Sequence, residues 1–299
     1  MMRQADWLRA LLVIVIWGVN FLPMKWGLEQ LSPLLLSAMR FCVASLPFLL
    51  FVRKPANLTW GVLAAYGLVQ GVGQFGMLFG GLALGMPAGM ASVVLQAQAF
   101  ISLLLGALFL HEQPRPWQWI GLVIASVGLG VIGAARGDGA GSMTLIGFVL
   151  TLGSAAMWSL ANLITRHAAK QGPYEPLPFL VWSSIFPIAP LLVLSALVES
   201  PAFGSIPAQL QAAGWQAVGS VAYLALLSTL LGYGLWTKLL QRYTVGTVAP
   251  LSLLVPVIGI VSAMWAFDER PVLLHWLGAA GVLLGMAVNQ WGGRWAKRA

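Results

Sequence analysis

Charged residues are what this sequence has least of. They make up 8% of its 299 residues, whereas a soluble domain contains about 25%. Residues 55–111, a run of 57, contain no Asp, Glu, Lys or Arg. That run exceeds the roughly 20 residues that one membrane helix needs, so it predicts two spans joined near residues 84–87. We therefore expect an all-α polytopic membrane protein whose surroundings are the lipid bilayer.

Cysteine and histidine are nearly as scarce, which argues against a metal site. Cys42 is the single cysteine, and the three histidines, His111, His167 and His275, are dispersed. The segment after His111 does not follow the H-E-x-x-H zinc pattern, and no metal-ligand set can be assembled from these residues. There is also no G-x-S-x-G nucleophile turn and no G-x-x-x-x-G-K phosphate loop. The sequence thus predicts no enzyme, no metal and no cofactor.

Carboxylates are absent from the middle of every apolar segment. Proton-driven carriers commonly use an acid or a histidine inside the membrane. The absence predicts facilitated or exchange-type efflux without an obligatory proton site at the bilayer midplane. Titration of Glu269 or His275, near the predicted outer mouth, stays an open alternative.

Ten apolar segments follow one another along the chain. Their approximate bounds are 8–26, 33–52, 60–83, 87–110, 117–134, 144–166, 177–198, 214–237, 245–267 and 272–292. With the N-terminus inside, the inner segments hold twelve Lys and Arg residues and the outer loops hold three. The positive-inside rule therefore places both termini in the cytoplasm. The net charge of +8 is explained by this bias, and no nucleic-acid partner is expected.

A pattern in the first half of the chain returns 157 residues later. The pattern is E-x-P-x4-W-x-G-x6-G, formed first by Glu112, Pro114, Trp119, Gly121 and Gly128 and then by Glu269, Pro271, Trp276, Gly278 and Gly285. Five predicted spans separate the copies, so the copies have opposite orientations in the membrane. We therefore expect two five-helix repeats, residues 1–138 and 139–299, in inverted topology. Secondary transporters are commonly built in this way, with a site near the midplane between the halves.

Arg40 is the one charged residue well inside a predicted span. Such a residue should face a water-filled cavity or a partner, because a buried arginine costs roughly 2.5–3.5 kcal/mol at a helix centre. One interpretation is that Arg40 binds the carboxylate of a zwitterionic substrate. The other is that it reaches the outer surface or bonds backbone carbonyls, since it lies only about 10 Å along its helix.

Polar and aromatic side chains recur at helical spacing, which places each set on one helix face. Trp17 and Trp158 occupy matching places in the two repeats and are predicted to flank one central site. The candidate substrate-binding residues are Trp17, Asn20, Arg40, Gln70, Gln74, Gln96, Trp158, Asn162, Tyr223 and Tyr233. Hydrogen bonding between helices is the alternative role of the amides. Gln98 and Ser102, on another face of their helix, are assigned to packing.

Several motifs suggest a family. They are IWGVNFLPMKWG (16–27), RFCVASLPF (40–48), GMPAGMASVVLQAQAF (85–100), GYGLWTKLLQRY (232–243), VAPLSLLVPVIGIVSA (248–263) and DERP (268–271). Over nearly its whole length the chain resembles the EamA branch of the drug/metabolite transporter superfamily. Residues 85–100 and 232–263 are most similar to bacterial exporters of O-acetylserine and cysteine. The resemblance implies efflux of small polar metabolites across the inner membrane.

The sequence therefore predicts an inner-membrane exporter that works by alternating access. Cysteine or O-acetylserine is the expected substrate, and broader amino-acid or drug efflux is the alternative. An intramembrane enzyme would not need two opposed halves, and a channel would need a polar pore helix that is not found.

Overall fold

The computed structural model describes residues 3–110, 113–135, 143–243 and 249–295. The regular secondary structure of these residues is all helical, without a β-strand. Several residues that the sequence analysis used lie outside the described ranges: His111, Glu112 and three of the counted basic residues, Arg136, Lys297 and Arg298.

The helices of the first half form hairpins of apolar segments. They are α1 Gln4–Val19, α2 Phe21–Leu28, α3 Pro33–Ser45, α4 Trp60–Leu68, α5 Gly76–Ala83, α6 Ala88–Val94, α7 Ala97–Leu110 and α8 Pro116–Ala134. A π-helical segment, Val69–Phe75, joins α4 to α5, and a short 3-10 turn, Leu46–Phe48, follows α3.

The second half follows a similar order. Its α-helices are α9 Leu145–Lys170, α10 Pro176–Ser183, α11 Ile188–Leu194, α12 Ser200–Phe203, α13 Ile206–Ala212, α14 Trp215–Ala222, α15 Tyr233–Arg242, α16 Leu254–Phe267 and α17 Leu273–Trp295. Two π-helical segments, Ser195–Glu199 and Tyr223–Gly232, and a 3-10 segment, Ala249–Leu253, complete it.

Local sequence signals explain where many helices begin. Proline is the first residue of α3, α8 and α10, a position where the missing N–H removes no helical hydrogen bond. The hydroxyl groups of Thr59 and Thr144 accept hydrogen bonds from backbone amides at the starts of α4 and α9, as N-cap residues do. Helix α16 ends at Phe267 and is followed by Asp268, whose φ of 49° is left-handed and cannot continue the helix.

Eight continuous helical stretches of the described residues are long and apolar enough to cross a membrane. They are Gln4–Leu28, Trp60–Ala83, Ala88–Phe109, Pro116–Ala134, Leu145–Lys170, Pro176–Phe203, Trp215–Leu239 and Leu273–Gly292. Two shorter apolar helices, Pro33–Phe48 and Leu251–Phe267, lie where the second and ninth spans are predicted. Large apolar side chains face outward, with Trp215 89% and Trp265 85% exposed. The chain is a multi-pass membrane protein, and lipid accounts for this exposure.

Helices α8 and α17 pack closely, with glycines at the contact. A Cβ atom on Gly121 would lie 2.5 Å from the carbonyl oxygen of Gly285, and one on Gly128 would lie 2.7 Å from that of Gly278. The two helices are antiparallel, because the earlier glycine of one faces the later glycine of the other. Small residues allow such approach between helices in a membrane.

Candidate functional site

A cavity of about 290 Å³ lies among the remaining helices. Its wall is formed by residues of both halves of the chain, from α1, α2 and α3 through α9 and α10 to α15 and α16. Helices α8 and α17 contribute none of its lining residues. The pair α8 and α17 therefore supports the wall from outside.

Eight of the ten residues predicted to bind substrate border this cavity. They are Trp17, Asn20, Arg40, Gln74, Gln96, Trp158, Asn162 and Tyr233. Trp17 and Trp158, which are predicted to occupy matching places in two repeats, both line this cavity.

The other two predicted residues do not line the cavity. Gln70 is buried behind the wall and donates from Nε2 to the hydroxyl oxygen of Tyr233 at 3.2 Å. Tyr223 donates its phenol proton to the carbonyl oxygen of Ile16 at 2.8 Å. Gln70 therefore orients a lining residue, whereas Tyr223 joins two helices.

Arg40 is completely buried and borders the cavity. Its Nε donates to Oγ1 of Thr229 at 2.9 Å, and its guanidinium carbon lies 3.7 Å from the ring centroid of Phe75. Nη1 has no hydrogen-bond partner among the described residues. The alternative in which Arg40 reaches the outer surface is wrong, because neighbouring helices enclose the side chain. A fixed guanidinium with an unpaired N–H is suited to an anionic group in the cavity.

Two of the three π-helical segments lie beside this arginine. Val69–Phe75 supplies Gln74 and Phe75, and Tyr223–Gly232 supplies Ser228 to the cavity wall and Thr229 to Arg40. A π-helical turn changes which side chains face a neighbour and is frequent at functional sites. Of these residues, the sequence analysis identified Gln74 but not Phe75, Ser228 or Thr229, because an apolar span gives no periodic signal for a π turn.

Neutral amide side chains line the cavity together with its aromatic residues. The Oδ1 atom of Asn20 and the Oε1 atom of Gln74 are buried and have no hydrogen-bond partner among the described residues. Gln96 donates from Nε2 to the carbonyl oxygen of Ser252 at 3.3 Å. These two unpaired amide oxygens belong to residues that line the cavity, and they can accept hydrogen bonds from an ammonium group.

An aromatic wall faces the same space. The Trp17 ring lies 5.1 Å from the ring of Tyr233 and 5.4 Å from that of Trp236. The Nε1 atom of Trp17 donates to the carbonyl oxygen of Ser228 at 3.2 Å, which fixes the indole. Trp236 was missed by sequence reasoning, although its position three residues after Tyr233 places both on one helix face.

The assignment of Gln98 to packing alone is wrong. Gln98 borders the cavity, and its Oε1 accepts from Nδ2 of Asn162 at 3.0 Å. The prediction assumed one continuous helix, but α6 ends at Val94 and α7 begins at Ala97. The break changes the helical phase, so Gln96 and Gln98 both reach the cavity. Ser102 remains a packing residue, 3.5 Å from Nδ2 of Asn162.

The charge of the cavity wall is positive. Arg40 is its one charged lining residue within the described part of the chain, and no Asp or Glu is among the lining residues there. The described residues also contain no group of three His, Cys, Asp or Glu that could hold a metal ion. The cavity can therefore pair with a carboxylate and offers no charged partner to a cation.

The two ends of the cavity differ. At one end Thr165, Tyr174 and Thr237 are partly exposed, near the ends of α9 and α15. At the other end Met24, Leu78 and Ser92 are buried. The cavity therefore opens towards the end of the molecule that contains Lys170 and Arg242.

The chain is similar to known proteins over nearly its whole length. The chain matches the EamA-like transporter family over residues 7–134 and 145–290. It is 38% identical over 297 residues to a protein of Escherichia coli K12 named probable amino-acid metabolite efflux pump, with 99% of this chain and 98% of that protein covered. It is 28% identical over 296 residues to the probable terminal-alkyne amino-acid exporter of Streptantibioticus cattleyicolor, with 97% and 94% covered. A crystal structure 21% identical in sequence superposes with a TM-score of 0.60 over 96% of each chain and shows likeness of fold alone.

Proposed function

Because the chain belongs to the EamA-like transporter family, we propose that it is an inner-membrane secondary transporter that exports small amino-acid-like metabolites, of the cysteine and O-acetylserine type, by alternating access. It is a transporter rather than an enzyme. Relatives named as an amino-acid metabolite efflux pump and an amino-acid exporter support the substrate class.

The observation on which this proposal depends is the chemistry around Arg40. Its unpaired Nη1 and the unpaired amide oxygens of Asn20 and Gln74 are buried at one cavity. A zwitterion brings a carboxylate for the guanidinium and an ammonium group for the amides. Buried polar atoms without partners are costly, so a bound zwitterion would complete their hydrogen bonding.

The proposed architecture is ten spans in two inverted repeats, residues 1–138 and 139–299. The glycine contacts of α8 and α17 support it. In the proposed repeat, Gly121 corresponds to Gly278 and Gly128 corresponds to Gly285. A two-fold rotation that exchanges the two helices therefore converts the Gly121–Gly285 contact into the Gly278–Gly128 contact. Self-complementary contacts of this kind are typical of two-fold interfaces.

A second pair of contacts supports the same symmetry. The Oγ atom of Ser159 donates to the carbonyl oxygen of Gln98 at 2.8 Å. At the corresponding place, a Cβ atom on Gly18 would lie 3.2 Å from the carbonyl oxygen of Val255. When Trp17 is aligned with Trp158, Gly18 corresponds to Ser159. When Gly121 is aligned with Gly278, Gln98 corresponds to Val255.

We place the open end of the cavity on the cytoplasmic side, with both termini. The loops at that end are the ones rich in Lys and Arg, which the positive-inside rule assigns to the cytoplasm. The conformation is then inward-open, ready to receive a metabolite from the cell.

The alternative is a carrier of broader amino-acid or drug efflux. The aromatic wall of Trp17, Tyr233 and Trp236 favours it, because aromatic faces accept many planar molecules. Among drugs, the positive wall favours anions and neutral compounds over cations.

Counterflow in proteoliposomes tests the proposal. Liposomes loaded with unlabelled cysteine should accumulate labelled cysteine from outside, and O-acetylserine should compete. The decarboxylated amine of cysteine should compete poorly, because it lacks the group that pairs with Arg40. Competition by aromatic cations alone would contradict the proposed substrate class.

A further inference from the structure

The closed end of the cavity is held by one carboxylate. Glu269 is 3% exposed. Its Oε1 accepts from the backbone N–H of Ala88 at 2.8 Å and from Nζ of Lys25 at 3.1 Å, and its Oε2 accepts from the N–H of Gly89 at 3.0 Å. Three segments meet here: α2, the start of α6, and the connection between α16 and α17.

These contacts lie directly beyond the cavity. Lys25 follows the lining residue Met24 in α2, and the lining residue Ser92 donates from Oγ to the carbonyl oxygen of Gly89 at 2.6 Å. The Nζ of Lys25 also lies 4.3 Å from the ring centroid of Phe267. A solute could leave the cavity at this end only if the segments joined by Glu269 separated.

We propose that Glu269, bound by Lys25 and by the amides of Ala88 and Gly89, is the latch of the extracellular gate. The inference rests on the proposed alternating-access function and goes beyond it by naming the contacts that must break. Each partner of Glu269 belongs to a different segment from Glu269 itself, so releasing the carboxylate frees all three segments at once. The latch stabilises the inward-open state relative to the outward-open one.

The glycine at position 89 fits this role. A Cβ atom there would lie 3.2 Å from Oε2 of Glu269 and 3.1 Å from Cα of Ile260. Both distances are tight, so a side chain at position 89 would push α6 away from the carboxylate and from α16.

The neighbouring ion pair offers a matched control. Arg270 binds Asp268 at 3.1 Å, but the side chains of these residues are 79% and 75% exposed. Exposed pairs contribute little to stability, and neither residue has a hydrogen bond that joins the three segments among the described contacts. Removing this pair changes charge one residue from Glu269 without touching the latch.

The experiment measures access to the cavity from outside the cell. Cys42 is replaced by serine, Asn20 by cysteine, and a membrane-impermeant thiol reagent is applied to intact cells. Glu269→Gln should raise the labelling rate about ten-fold, which corresponds to about 1.4 kcal/mol, because the neutral amide loses the charge that pairs with Lys25 and keeps only one acceptor oxygen. Lys25→Met, which leaves both amide contacts, should raise it less, and Arg270→Gln should leave it unchanged.

Two results would overturn the latch. One is an unchanged labelling rate in both Glu269→Gln and Lys25→Met; the other is an equal increase in Arg270→Gln. Counterflow measured in the same gate variants with the native Asn20 separates the two proposals. Intact counterflow with unchanged labelling rejects the latch and leaves the transporter function standing.

Discussion

Replacing Arg40 by methionine tests the substrate chemistry directly. Methionine keeps an extended apolar side chain beside Phe75 but removes the guanidinium that borders the cavity. The lost interaction is a hydrogen bond between two charged groups in a buried site, worth about 1.5–3 kcal/mol. Binding of the zwitterion should therefore weaken about 10- to 150-fold.

The decarboxylated amine provides the internal comparison. It has no carboxylate to lose, and Arg40→Met removes a positive charge that repels its ammonium group. We expect its half-saturation concentration in counterflow to stay within about two-fold or to fall, by the same arithmetic. The role of Arg40 is therefore reported by the ratio of the half-saturation concentrations for the zwitterion and the amine, rather than by either concentration alone.

Thr229→Val separates the position of the guanidinium from its charge. It removes the acceptor 2.9 Å from Nε and leaves the cation in place, so the loss for the zwitterion should stay below about ten-fold. The monodisperse elution of each variant in detergent checks its folding. Equal losses for the zwitterion and the amine in Arg40→Met would show that Arg40 acts only in helix packing, and the reasoning would be wrong.

Three further predictions concern packing, the aromatic wall and coupling. Gly128→Ala should destabilise the protein by about 1–3 kcal/mol through overpacking and lower its melting temperature in detergent, whereas Gly130→Ala, with nothing within 4 Å, should not; equal melting temperatures would contradict the helix pairing. Trp17→Phe should raise the half-saturation concentration a few-fold, because a lost hydrogen bond costs about 0.5–1.5 kcal/mol. Tyr223→Phe should lower the stability of the protein and leave the half-saturation concentration unchanged. Liposome efflux should depend weakly on an imposed pH gradient; a steep dependence would show an obligatory proton site.

The spans were largely predictable because lipid imposes a simple rule on sequence. A membrane helix must be apolar for about 20 residues, so Trp60–Ala83 and Pro116–Ala134 match predicted bounds within a residue. Family membership was also predictable, since the motifs around residues 16–27 and 85–100 are local strings. Neither inference required knowledge of which helices touch.

The cavity was predictable where a residue is chemically out of place in lipid. Arg40, Asn20 and Gln74 are costly there, and their cost identified them. Tyr223 has the same composition signal but bonds a neighbouring helix. Sequence cannot separate these cases, because they differ only in whether the cavity or a neighbouring helix lies opposite the polar group.

Sequence alone determined the class of protein, the approximate positions of its apolar helices and the expectation that Arg40 faces something polar. Tertiary structure decided that the helix break at Leu95–Gln96 brings Gln98 to the cavity, that π turns place Phe75 and Thr229 beside Arg40, and that Glu269 joins three segments beyond the cavity. The physical reason is the distance along the chain over which each property is set. Apolar length and spacing are local properties of the chain, whereas a wall, a latch and a free hydrogen bond depend on residues distant in sequence that meet only when the helices pack.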